Sequence, residues 1–453
     1  MTIHPWRTAS LVALLCTGAT GSDADPRPLR LTQTRITIPQ VDYEPALHTG
    51  ADGLPRLDLK AVPWERVVEG AHAAVILESR YVRVTLLPEM GRVYSMVYLP
   101  TGHETLWRND IVRPGGANNA TGWWLWIGGI EYTLPGEEHG YTWALPWTWE
   151  ILEDGVHRKA VRVQVVEPTT GLRETIDFSV ESGSAAMEAA IHIRNPTEHT
   201  VDYAHWVNPM WAPGGRNEVT DNTELIIPTK HIVIPERWQA NLGPSPQTWA
   251  DSPLRWLRNW ENMGDLMAVG LDAGFYGAYS HDEDEGVVRV FDADITPGVD
   301  VWTYGFHPEK IPMGSGGPNK GYVEMWGGTV ATFPDERGAL APGQSVDWTE
   351  WIYPFQRTGG LTYADRWLAA RCRFIRQTGE LDVRICPVRE LVHASVEVLR
   401  GERVIATHPV SASPSAPWSH AFTLSAGIPL AELLIVVRAG EQVLSRFRPQ
   451  AAR

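Results

Sequence analysis

Over most of its length the chain alternates apolar and polar residues at every second position, and that period restricts it to strands. The segments RLTQTRITIP, AAVILESRYVRVTLLP, RVYSMVYLP, RKAVRVQVVEP, RETIDFSVE, AAMEAAIHIRN, GVVRVFDAD and DWTEWIYPF all alternate or are rich in β-branched residues. Turn clusters such as PTG, EPTTG, ESGS and APGQ separate them. The 34 prolines in 453 residues favour turns and edges over long helices, because proline inside a helix removes a hydrogen bond and clashes with the preceding turn. Many strands with frequent turns imply an all-β class: a large antiparallel sandwich over residues 30–360.

Beyond residue 360 the pattern changes. TYADRWLAARCRFIRQT, residues 362–378, places Trp367, Leu368, Ala370, Cys372 and Phe374 as apolar positions among arginines and predicts a short helix, so residues 361–380 are expected to form a helical linker. After it, LDVRICPV, ASVEVLRGERVIATHPV, SHAFTLS and ELLIVVRAGEQVLSRFRP supply at least four strands, enough for a small immunoglobulin-like β-sandwich over 381–453.

At the other end, MTIHPWRTASLVALLCTGATGSDADPRP has a positive Arg7, an apolar run from Ala9 to Cys16 and small residues around Ala19–Ser22. That is the layout of an export signal over residues 1–24, and the run is too short to span a bilayer. The protein is therefore expected in the periplasm or outside the cell. Cys16 raises lipid anchoring as an alternative, against which Leu15 is large where a small residue is expected. Without the signal, Cys372 and Cys386 remain as a candidate pair. The net charge of −15 argues against a nucleic-acid partner, whose phosphates attract Lys and Arg. No nucleotide-binding glycine motif and no zinc-ligand spacing occurs, so neither a cofactor nor a metal is expected.

Ten of the 21 tryptophans fall in four short clusters: 123/124/126, 143/147/149, 206/211 and 348/351. For any single Trp the core of a large sandwich is the better reading. Beside WIGGIEYTLPGEEHG, however, the clusters carry Glu131 and His139, and aromatic walls with a few convergent polar groups are the signature of a small-ligand cleft. In GYVEMWGG, Tyr322, Glu324 and Trp326 share one face of a strand. A carboxylate between two aromatics suits neither open solvent nor dry core, but it suits a cleft in which burial raises its proton affinity; an ion-paired structural Glu is the alternative. In YAHWVNPMW, Tyr203, His205 and Val207 lie on one face, and Trp206 and Asn208 on the other. His205 is either a proton donor or a half-buried hydrogen-bonded histidine. Glu350 and His307 are second-rank candidates. Trp124, Trp126, Trp143, Trp206, Trp326, Tyr322, Arg92, Asn208, His307 and Glu350 are the expected ligand contacts.

Taken in order, ITIPQVDYEP, LLPEMGRVYSMVYLPTGHETLWRNDIVRP, WIGGIEYTLPGEEHG, IIPTKHIVIPE and GYVEMWGGTVATFPDERGALAPGQSVDWTEWIYPF resemble a bacterial domain-of-unknown-function family related to galactose mutarotase (aldose 1-epimerase), over roughly residues 35–355. The resemblance implies a super-β-sandwich binding sugar across a concave face. It also implies that Glu324 is a general base, that His205 donates to the ring oxygen, and that His139 sits in the site; Glu131 with Glu324 is the candidate carboxylate pair of a glycosidase. Export and Trp content tilt the expected chemistry toward glycosidic bond cleavage of a sugar or oligosaccharide. Epimerase-like activity and non-catalytic glycan binding are the alternatives.

Overall fold

A computed structural model describes residues 28–304, 321–333 and 336–451. Residues 1–24, expected to be an export signal, with Cys16, and His307 lie outside the described residues. The larger sheet has fourteen strands, ordered 247–248, 229–233, 264–271, 298–303, 323–328, 206–211, 130–133, 92–98, 82–87, 67–78, 30–41, 108–116 and 123–128, with 103–104 paired to 92–98. The second sheet has eight, ordered 148–154, 158–166, 173–181, 187–194, 345–356, 285–290, 275–280 and 223–226. The expected all-β, large antiparallel sandwich is what the chain forms.

The alternation read from the sequence is what packs the two sheets together. Val75, Leu77, Val84 and Leu86 from the large sheet meet Val161, Val163, Ile176, Phe178 and Ile191 from the smaller one in one continuous core. The opposite face of the large sheet carries the aromatic residues and carboxylates. Each large buried aliphatic contributes roughly 1.5–3 kcal/mol, so this core fixes which face of each strand points outward.

The segment 362–378 is not a helix. Tyr363–Ala364 and Leu368–Ile375 are strands, the latter paired with Glu380–Pro387 through Leu368↔Pro387 to Ile375↔Glu380. Leu368, Ala370, Cys372 and Phe374 recur with period 2 and enter the core of the C-terminal sandwich, while Ala369 faces the larger domain. Residues 361–380 therefore belong to that sandwich, whose five- and four-stranded sheets begin at Tyr363. Among the described residues the one α-helix is Glu236–Leu242, and no helix is long and apolar enough to cross a membrane. Cys372 and Cys386 are free thiols. They cannot pair, because Cys372 sits in the sandwich core and Cys386 on the opposite face, in the cluster that joins the two domains.

Candidate functional site

A cleft of about 770 Å³ opens on the outer face of the large sheet. Its floor comes from the adjacent strands 264–271, 298–303 and 323–328, which supply Asp265, Asp300, Trp302, Glu324 and Trp326. One wall is the loop carrying Glu137, Glu138 and His139 with Trp124 and residues 116–120; the other holds Arg237 and Trp238 of the helix with Met263, Phe333 and Arg337. The size falls within the usual small-ligand range.

Glu324 is 4% exposed. Tyr322 donates its hydroxyl to Oε1 at 2.9 Å, and Trp326 Nε1 and Asn208 Nδ2 donate to Oε2 at 2.8 and 3.0 Å. Tyr322 and Trp326 do this because they are the same-face neighbours on Glu324's own strand. Burial pushes the Glu324 carboxyl above its ordinary range, and the charge of His139 and the three donors pull it only part of the way back.

His139 stands beside it. The hairpin from Glu131 returns through Leu134–His139, and His139 has a left-handed backbone, φ 59, a region in which His is one of the better-tolerated residues. That conformation lays the ring flat on Trp124, with centroids 3.9 Å apart and planes within 5°, and 5.2 Å from Trp326. Its Nδ1 lies 3.2 Å from Glu131 Oε1, while Arg92 donates to Glu131 Oε2. Burial alone would lower the proton affinity of His139; Glu131, and then Glu324, outweigh it, and the imidazole is held above its usual value. Burial likewise pushes Glu131 up, but Arg92 and His139 outweigh it and hold the carboxyl low. The row Arg92–Glu131–His139–Glu324 thus alternates in charge.

The expected contacts divide into three groups. Glu324, His139, Trp124 and Trp326 line the cleft together. Behind them stand Glu131, Arg92, Asn208 and Tyr322, which orient the lining residues, and Trp126, which packs among Trp107, Trp124, Tyr304 and Tyr322. The remainder lie elsewhere. His205 is fully buried between the sheets, its Nε2 2.8 Å from Glu174, with Trp348 edge-on at 5.2 Å. This is the hydrogen-bonded histidine reading, and it follows from His205 sharing the inward face with Val207. Glu350 lies on the smaller sheet and accepts from Arg289 Nε at 2.9 Å, also between the sheets. Trp143 packs edge-on against Trp123 at 4.9 Å in a separate apolar cluster, and Trp206 packs against Phe333.

Asp265, Asp300, Trp238, Trp302 and Tyr304 line the cleft without having been expected there. Asp300 and Trp302 alternate along a strand just as Glu324 and Trp326 do, a signal present in GVDVWTY. Asp265 joins them only through cross-strand register, opposite Trp302, which no local pattern reveals. Burial first, and then Asp265 and Glu324, push the Asp300 carboxyl well above the usual carboxylate range.

A concave, aromatic-walled cleft with buried acids on its floor, carried by a two-sheet antiparallel super-sandwich, defines the class. Residues 65–355 match the family described as a domain of unknown function, DUF5107, and the chain belongs to that family. Among solved structures, a TPR-domain containing protein from Parabacteroides distasonis shares the fold at a TM-score of 0.60 and 19% identity. The match covers 73% of this chain but only 56% of that one, so this chain spans little more than half of that protein's length. A galactose mutarotase-like protein from Clostridium acetobutylicum matches at a TM-score of 0.47 and 10% identity, over 73% of this chain and 99% of that one. The galactose mutarotase related enzyme from Lactobacillus acidophilus matches at 0.45 and 12%, over 64% and 100% respectively.

Proposed function

We propose that the cleft binds a sugar and exchanges protons at its anomeric centre, with Glu324 as the acceptor for the anomeric hydroxyl proton and His139 as the cation that balances it. The observation that carries this reading is the setting of Glu324: nearly buried, bound by three donors, yet raised in proton affinity by burial. A carboxylate whose burial raises its proton affinity is better placed than an ordinary one to take a proton and return it, as general acid–base work requires. Trp124, Trp238, Trp302 and Trp326 supply flat faces for a pyranose.

Ring opening fits this floor better than bond cleavage. Cleavage needs two carboxyl groups flanking the scissile bond from opposite sides of the sugar. Here the buried acids rise from neighbouring strands of one sheet face and reach a sugar from one side. Across the cleft, Glu137 and Glu138 already accept the backbone N–H groups of Ala120 and Asn118. The anomeric and ring oxygens share one carbon, so a one-sided approach serves both. Cleavage of an oligosaccharide stands as a second reading, favoured by a cleft volume of about 770 Å³, towards the upper end for single small ligands.

Anomer exchange followed by NMR over a panel of aldoses, with binding by calorimetry, tests the assignment. Glu324→Gln keeps both oxygen and shape and should hold affinity within a few-fold while losing about 10²–10⁴ in rate. Unchanged exchange in that variant removes Glu324 from its role. A panel in which no sugar binds the wild type removes the sugar reading altogether.

A further inference from the structure

The floor contains a second proton-holding group that the reading above does not use. Asp265 and Asp300 are each 4% exposed and both line the cleft. Their carboxyl groups meet within hydrogen-bonding reach. Among the described residues, Oδ1 of each lies buried without a hydrogen-bond partner. Two carboxylates repel, and two carboxyl groups can hydrogen bond only when one of them carries the proton, so a shared proton lets two buried acids stand side by side.

The surroundings fix which member holds it. Asp265 pairs with the Arg237 guanidinium at 3.4 Å. Asp300 stands between two acids, Asp265 and Glu324, with Trp326 directly opposite on the neighbouring strand. Glu324 is opposite Trp302, so Asp300 and Glu324 are diagonal neighbours on one face, a placement that puts Cβ atoms about 7 Å apart. That is room for one sugar's anomeric region between them. His139, by contrast, is gripped between Glu131 and Glu324 and stacked on Trp124, an arrangement that fixes a charge rather than one that releases a proton.

We infer that Asp300 is the proton donor of the cleft, loaded by Asp265, and that it protonates the sugar ring oxygen while Glu324 takes the proton of the anomeric hydroxyl. The step balances. The O–H electron pair becomes the C=O π bond, the bond between the anomeric carbon and the ring oxygen breaks toward oxygen, and that oxygen receives the Asp300 proton. Rotation of the open-chain aldehyde and the reverse transfers return both carboxyl groups to their starting states, with nothing consumed. This rests on the sugar reading of the cleft.

Two measurements test it, and they separate its failure from that of the sugar reading. The first needs no ligand. Carbon-13 NMR of aspartate side-chain carboxyls should find one carboxyl that stays protonated at pH 7, and that signal should vanish in Asp300→Asn and collapse toward ordinary titration in Asp265→Asn. Finding every Asp carboxyl ionised at pH 7 overturns the donor assignment, whatever the enzyme does. The second is anomer exchange of whichever aldose the wild type turns over. Asp300→Asn, which still offers hydrogen bonds, should keep binding within a few-fold and lose at least about 100-fold in rate. The alkaline limb of the wild-type pH–rate profile should follow the NMR titration. A full rate in Asp300→Asn overturns the donor. A wild type that turns over none of the aldoses overturns the sugar reading, and the donor assignment with it.

Discussion

Glu131 is the residue on which the site's electrostatics turn. It is 1% exposed and faces two cationic groups, Arg92 and His139. Removing one partner of a buried pair costs about 3–5 kcal/mol, because the other charge stays buried. Glu131→Gln should lower the urea midpoint at pH 7 accordingly, and the NMR titration midpoint of His139 should fall. The pH dependence follows from the two shifts. Glu131 is held low, so its contribution is present above the unfolded carboxylate value of about 4.3 and is lost as pH falls through the lower folded value. His139 is held high, so its contribution is full below about 6.5 and is lost as pH rises through the higher folded value. The two therefore act together between roughly pH 4.3 and 6.5, and the loss of stability measured as pH falls below about 4.3 should be shallower in Glu131→Gln. A variant as stable as the wild type, with the same His139 midpoint, removes Glu131 from this role.

Strand alternation made half of the site legible, and one element shows both its reach and its limit. In Val323–Gly328 the cleft face carries Glu324, Trp326 and Gly328, and the inward face carries Gly327. A Cβ on Gly328 would fall inside the indole of Trp206, and one on Gly327 would strike the Arg289 guanidinium. The glycine pair thus lets Trp206 lie on one face of the strand while the Arg289–Glu350 pair supports the other. Gly328→Ala should destabilise by about 1–3 kcal/mol through overpacking, and pairing it with Trp206→Leu should recover most of that in a double-mutant cycle. Additive losses would mean that the two do not touch. The same alternation puts His205 on the inward face with Val207, where it is the hydrogen-bonded histidine. In 362–378, Leu368, Ala370, Cys372 and Phe374 are spaced by two, the period of a strand. The alanines and arginines between them carry high helix propensity, and tertiary pairing with Glu380–Pro387 overrode it. Asp265 was out of reach because its place depends on pairing between segments more than thirty residues apart, which local pattern does not encode.

At the scale of the molecule, the cleft and the C-terminal sandwich lie on opposite sides of the large domain. The cleft uses the outer face of the large sheet. The sandwich covers the outer face of the smaller one, where Ile226, Phe275, Val288, Val290, Tyr353 and Phe355 pack against Leu361, Ala364, Ala369, Cys386 and Val388. Polar anchors ring this contact: Tyr98 and Gln356 both donate to the Pro414 carbonyl, Tyr353 donates to the Asp365 carbonyl at 2.7 Å, and Ala185 N–H donates to the Val388 carbonyl at 2.8 Å. A large apolar sheet face left open invites association, so the sandwich acts as a cover as well as a domain. The two cysteines report on this separately. Burial pushes the Cys386 thiol up to about 11, and the Cys372 thiol higher still, so neither reacts readily in the native state. Cys386 lies in the contact between domains and Cys372 in the sandwich's own core. If the domains part before the sandwich unfolds, thiol labelling in low urea, read peptide by peptide by mass spectrometry, should modify Cys386 well before Cys372. Simultaneous labelling at every urea concentration would mean that cover and sandwich unfold as one cooperative unit. The cleft proposed to bind sugar, on the far sheet, should keep its affinity through the first of these steps and lose it only when the larger core opens.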